Sequence, residues 1–201
     1  MANLDKFNVP ADGISGILVQ PKLAYRFRVV LTNFGGENSQ NLTSQVVSVT
    51  RPSLTHDDIT IDVYNSRIFL AGKHTWDPIT ITVRDDVTGE VTKAIARQLQ
   101  RQVDHTNQAS ATSGSGYKFG AKIENLDGGN GGAEAVLDGW ELAGCYIQNV
   151  NYGENNYSTS DALTITLTIK YDNADLDVGG TKALATGAVD GLATNSTVSG
   201  F

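Results

Sequence analysis

Apolar and polar residues alternate most regularly from Leu163 to Tyr171, where Leu163, Ile165, Leu167, Ile169 and Tyr171 fall on one side and Thr164, Thr166, Thr168 and Lys170 on the other. Successive side chains of a strand point to opposite faces, so this run predicts a strand with one apolar face and one hydroxyl-rich face. Upstream, Glu141 to Tyr152 reads as its partner, with Cys145 and Ile147 opposite Tyr146, Gln148, Val150 and Tyr152. Neither face of that partner is purely polar, which predicts neighbours on both sides. The segment between them, Gly153 to Asp161 (GENNYSTSD), is rich in turn formers, so a hairpin connects the two strands.

The same period marks other strands. Tyr25, Phe27, Val29 and Leu31 alternate with Arg26, Arg28, Val30 and Thr32; Gln45 to Arg51 is a short strand that Pro52 must stop, because proline cannot donate to a ladder; and Ile79, Ile81 and Val83 form an inward face. Arg51 to Asp77 alternates, breaks at Asn65 and Ser66, and resumes, which predicts a protruding hairpin. Its apolar residues are too many for a solvated loop and too interrupted by charge for a core, so a partner surface is expected. From about Thr88 to Asp104 the period becomes helical, with Val91, Ile95, Leu99 and Val103 as one apolar stripe and Ala94 beside it. Burying those four side chains against a sheet contributes about 6–12 kcal/mol as an upper estimate. Tyr117 to Leu126 holds a further strand, and Phe34 to Ser44 reads as a Gly- and Asn-rich loop.

The elements together predict a mainly β fold: a β-barrel or two packed antiparallel sheets, with one flanking α-helix and an extended hairpin. The domain spans 24–175, with the extended loop at about 52–77 and the helix at about 88–104. An N-terminal arm at 1–23 precedes it. A Gly- and Ala-rich tail at 176–201 follows, with too few large apolar groups to add much core.

Composition narrows the function. A chain of 201 residues suits one domain, and the formal charge of −7 argues against gripping nucleic acid from outside, since phosphate binding draws on clustered Lys and Arg. The lone Cys145 forms no internal disulfide, and no signal-peptide pattern opens the sequence, so assembly in a reducing cytoplasm is expected. No apolar run approaches the roughly 20 residues of a membrane-spanning helix, so no membrane anchor is expected.

No catalytic, cofactor or metal site is predicted. His56, His74 and His105 are far apart in sequence and lack the paired spacing of zinc ligands. The pairs Asp57–Asp58 and Asp85–Asp86 read as turn and cap residues rather than acid and base. Asp127 to Gly132 lacks the ending of a phosphate loop, Cys145 reads as a small core hydrophobe, and no serine sits in a nucleophile elbow.

Several segments in one order resemble the tail tube proteins of contractile-tailed, T4-like bacteriophages. They are Val49-Thr50-Arg51-Pro52-Ser53-Leu54, the run from Asn65 to Ile79 with Val83-Arg84-Asp85, the run from Trp140 to Cys145, and Ile169-Lys170-Tyr171-Asp172. The inner-tube proteins of type VI secretion and of phage-like contractile particles share that fold. The resemblance implies a structural subunit, not an enzyme: hexameric rings stack into a hollow tube that conducts genome DNA into the host without specific binding. Implied partners are further copies of the chain, the tail sheath protein, and baseplate and tail terminator proteins at the tube ends. The implied location is the virion, after assembly in the host cytoplasm.

On this reading Leu54, Ile59, Ile61, Tyr64, Ile68, Phe69, Leu70 and Trp76 contact the next subunit or ring. A polar sheet face including Gln148, Thr164, Thr166 and Thr168 lines the lumen, and Lys170, Arg26 and Arg28 would add positive charge if they shared that face. The inner tube of a phage-like injection or secretion system is the alternative within the class. A carbohydrate-binding β-sandwich is the alternative outside it, and requires aromatic side chains exposed together as a stacking platform.

Overall fold

A computed structural model describes residues 21–35, 40–129, 136–178 and 181–182. In chain order the elements are β1 (Phe27–Thr32), α1 (Gln40–Ser44), β2 (Val46–Val49), β3 (Leu54–Val63), β4 (Ser66–Trp76), β5 (Ile79–Arg84), α2 (Glu90–Gln102), β6 (Val103–Asp104), β7 (Ala109–Ser110), β8 (Phe119–Leu126), β9 (Val136–Asn151), β10 (Thr164–Lys170), β11 (Asn173–Val178) and β12 (Thr181–Lys182). The predicted N-terminal arm lies almost wholly outside the described residues, as does most of the predicted tail.

The fold is mainly β, built from antiparallel pairings. The main strand order is β1-β8-β9-β10-β5-β2, with β11 on β9 and β12 on β11. Of the two predicted architectures, packed sheets are observed rather than a closed barrel: β1 and β2 are the two ends of the order and do not pair with each other. β9 holds the two sheets together. Its first half pairs with β8 and β11, and its second half pairs with β10.

The change of sheet along β9 occurs at Gly144, whose φ of 69° lies in the left-handed region open to glycine. There the β8 register jumps from Phe119↔Cys145 to Ala121↔Leu142, a β-bulge that bends the strand. The following strand bends with it: Asp172, between β10 and β11, donates its N–H to the Ala143 carbonyl at 3.0 Å and packs its carboxylate where a Cβ at 144 would stand. Lys118 pairs with that carboxylate.

The buried residues follow the alternation. Ile79, Ile81 and Val83 of β5 and Ile165, Leu167 and Ile169 of β10 are fully buried, opposite one another in register. A second bulge sits on β9 at Gln148, between the pairs Thr168↔Asn149 and Ile169↔Ile147. It resets the alternation, so Val150 packs against the core on the side of Ile147, not with Tyr146 and Gln148 as simple counting gives.

The helix is where predicted, but its buried face is different. Val91, Ile95 and Gln98 are buried, Leu99 is half-buried, and Val103 leaves the helix for β6. Gln98 accepts from the Gly35 N–H at 2.9 Å and donates to the Tyr117 carbonyl at 2.6 Å. Gln102 exchanges two hydrogen bonds with the backbone of Ile147. Both amides satisfy backbone groups that strand pairing leaves open. Asp86 accepts from the Glu90 N–H at the helix start, and Asp85 accepts from the Thr92 hydroxyl, the expected capping role. Two further differences are local. The predicted loop before Gln45 contains α1, which buries Leu42, and an unpredicted strand, β11, runs across the predicted domain–tail boundary and buries Ala174 against β9.

Candidate assembly surfaces

The hairpin of β3 and β4 stands apart from the sheets. Among the described residues its strands pair only with each other, and from Leu54 to Thr75 every strand residue except Gly72 is exposed. At about 3.3 Å per residue it projects roughly 30 Å. Register places Ile59 opposite Leu70 and Ile61 opposite Ile68, so these four and Val63 share one apolar face. The other face carries Thr60, Phe69 and the Asp62–Arg67 ion pair. Tyr64 at the tip is 99% exposed in a left-handed conformation with φ 46°. An isolated two-stranded ribbon is marginal in water, and a continuous apolar face on one makes it a candidate contact surface.

Of the eight residues expected at this contact, seven are exposed. Trp76 is buried at the root of the hairpin, where its ring meets Trp140 at 6.2 Å and Tyr171 at 5.8 Å. It anchors the hairpin to its own body. With Trp76 buried and Trp140 half-buried, they do not form the exposed stacking platform a carbohydrate module needs.

The second surface is the outward face of the sheet formed by β9, β10, β5 and β2. Register lines up Asn151, Thr166 and Thr82 in one row, and Asn149, Thr168 and Thr80 in another. Ser48 continues the first row onto β2. Gln148 is exposed at its bulge beside this face. Charge is confined to the ends: Arg84 lies opposite Thr164 at one, and Lys170 opposite Tyr146 at the other. Thr80 and Thr82 were visible in the alternation of ITITVRD, whereas the alignment of Asn149 and Asn151 depends on the Gln148 bulge.

The outward face of the other sheet differs in kind. Arg28 pairs with Glu124 at 2.7 Å, Lys122 reaches Glu124 at 3.3 Å, and Glu141 stands opposite Asp175. Arg28 is therefore not on the threonine face. Arg26 donates to the Asp127 carbonyl. Cys145 is buried, its thiol pushed up to about 12 by loss of solvation, which removes it as a nucleophile near neutral pH. No helix among the described residues is long and apolar enough to cross a membrane.

No family model matches the sequence, and no curated protein matches it. Solved structures do. A chain of the anti-feeding prophage (AFP) baseplate is similar at TM-score 0.58 and 14% identity, over 80% of this chain and 97% of that one. A chain of the sheath/tube terminator of PVC, an extracellular contractile injection system, is similar at 0.57 and 15%, over 79% and 98%. A chain of the PVC sheath–tube complex is similar at 0.55 and 14%, over 85% and 99%. At such identities the likeness establishes the fold, and it is the fold that the tail-tube resemblance implied.

Proposed function

We propose that the chain is a structural subunit of the inner tube of a contractile tail, with hexameric rings stacked into a hollow tube inside a sheath. The observation that carries this reading is the free-standing hairpin. It turns an apolar face to solvent, far from its own core, on a body whose fold is shared with a chain of a sheath–tube complex. A donor hairpin and a different acceptor surface make a head-to-tail contact, which closes into rings or extends into filaments.

The threonine and asparagine rows line the lumen in this proposal. A face of hydroxyls and amides offers little charge for phosphate to bind, which suits the passage of DNA in a phage tail ending in baseplate and terminator proteins. The AFP and PVC likenesses favour a second reading within the class, the inner tube of a phage-like injection particle carrying other cargo. Electron microscopy of the purified protein tests the assembly. Rings or tubes of uniform bore, with Thr166 on the inner wall of the reconstruction, are expected. A protein that stays monomeric at high concentration overturns the tube, and Thr166 on the outer wall overturns the lumen assignment alone.

A further inference from the structure

Two histidines that are remote in sequence meet in the hairpin. His56 of β3 and His74 of β4 are directly opposed in register. Opposed residues share a sheet face, with Cβ atoms about 4.5–5.5 Å apart. The imidazole centroids lie 6.1 Å apart with planes inclined at 52°, and both side chains are exposed. The frame that holds them is fixed on both sides. Toward the tip, a β-bulge brings Gly72 so close to the Asp57 carbonyl that a Cβ there would stand 2.8 Å from the oxygen. Toward the body, His74 sets its ring edge-on to Trp76 at 6.4 Å, and Trp76 is locked against Trp140 and Tyr171.

We propose that His56 and His74 form a two-imidazole site for a divalent transition-metal ion, of the class Cu²⁺, Ni²⁺ or Zn²⁺, at the root of the hairpin. Neutral imidazole suits these ions, and zinc–nitrogen bonds of about 2.0–2.1 Å bring the two nitrogens closer than the free rings stand. Rotation of two exposed side chains about their own χ angles supplies that closure without moving the strands. Among the described residues no cluster of three or more His, Cys, Asp or Glu side chains gathers, so water completes the coordination. The site is therefore exchangeable, unlike a four-ligand structural zinc. A bound ion ties β3 to β4 on the body side of the bulge and stiffens the base from which the apolar ribbon projects. The order of affinity follows the general preference of nitrogen ligands, with Cu²⁺ tightest.

Titration of the full-length protein with copper sulfate tests the site, because Cu²⁺ bound at His74 lies beside Trp76 and quenches its fluorescence. Saturable quenching at one ion per chain is expected, with Zn²⁺ and Ni²⁺ competing. His56→Ala and His74→Ala each weaken binding by roughly tenfold or more, while His105→Ala leaves it unchanged. Since His74→Ala also alters the surroundings of Trp76, isothermal titration calorimetry supplies the same comparison without an optical probe. Circular dichroism confirms that these surface variants fold. Equal affinity in wild type and the two hairpin variants, loss of binding in His105→Ala, or no saturable binding overturns the proposal.

Discussion

Gln98 has no exposed surface, yet it is an amide in the position where a helix–sheet contact ordinarily places a leucine. Its two hydrogen bonds run to the backbone of loops on either side of α2, so removing the amide leaves a part-buried N–H and a part-buried carbonyl without this partner. Each such loss costs about 1–3 kcal/mol. Gln98→Leu is therefore expected to destabilise the subunit by about 2–4 kcal/mol, read as a lower urea midpoint at unchanged slope. Two other side chains set the behaviour in alkali. Burial pushes Cys145 from its ordinary 9.0 to about 12, and burial pushes Tyr171 from 10.0 to about 12. The unfolded chain thus loses these protons first, and stability falls as pH rises from about 9 toward 12. Melting temperature across that range should decline, and Cys145→Ala should delay the onset of the decline toward pH 10.

At the scale of elements, the hairpin makes the clearest prediction. Its five apolar side chains are each about half exposed, so covering them contributes about 4–8 kcal/mol, half the full-burial value for such residues. Ile61→Asp with Ile68→Asp should abolish assembly in sedimentation velocity while leaving the subunit's melting temperature nearly unchanged, because neither residue touches the core. Loss of the fold in this variant would show the hairpin to be part of the core. Strands β1, β5 and β10 were legible in the sequence because one face is buried and the other is not, which imposes alternation. The stripe on α2 was legible only in part, because the buried Gln98 and half-buried Gln102 are polar residues at inward positions, where an apolar period marks only Val91, Ile95 and Leu99. β11 escaped because Asn-Ala-Asp-Leu-Asp-Val offers only small or scattered apolar groups; its place comes from pairing with β9. The bulges at Gly144 and Gln148 are insertions in a ladder, and a ladder is a property of two strands. The candidate surfaces divide the same way: the apolar run of β3 and β4 and the threonines of β10 were plain in one strand, whereas the asparagine rows and the histidine pair exist only in register.

For the whole molecule, one hairpin contact worth about 4–8 kcal/mol barely matches the roughly 4–15 kcal/mol that association costs in lost freedom. A stable polymer in the proposed tube therefore needs each subunit to give one such contact and receive another. Growth from an existing ring gains both at once, whereas a free pair gains one, so assembly should begin at a template and not in bulk solution. The corner at Gly144 has a consequence for the free subunit. Because β9 is a single strand with one half in each sheet, neither sheet can come apart without pulling on a strand the other pairs with. Heat should therefore melt the body in one step, with calorimetric and van't Hoff enthalpies equal, while the amides of β3 and β4 exchange with solvent long before that step. Two separate heat-absorption peaks would show that the sheets are thermodynamically independent. One cooperative block carrying one loose ribbon lets the subunit tolerate change in the part that meets neighbours at little cost to the part that holds it together.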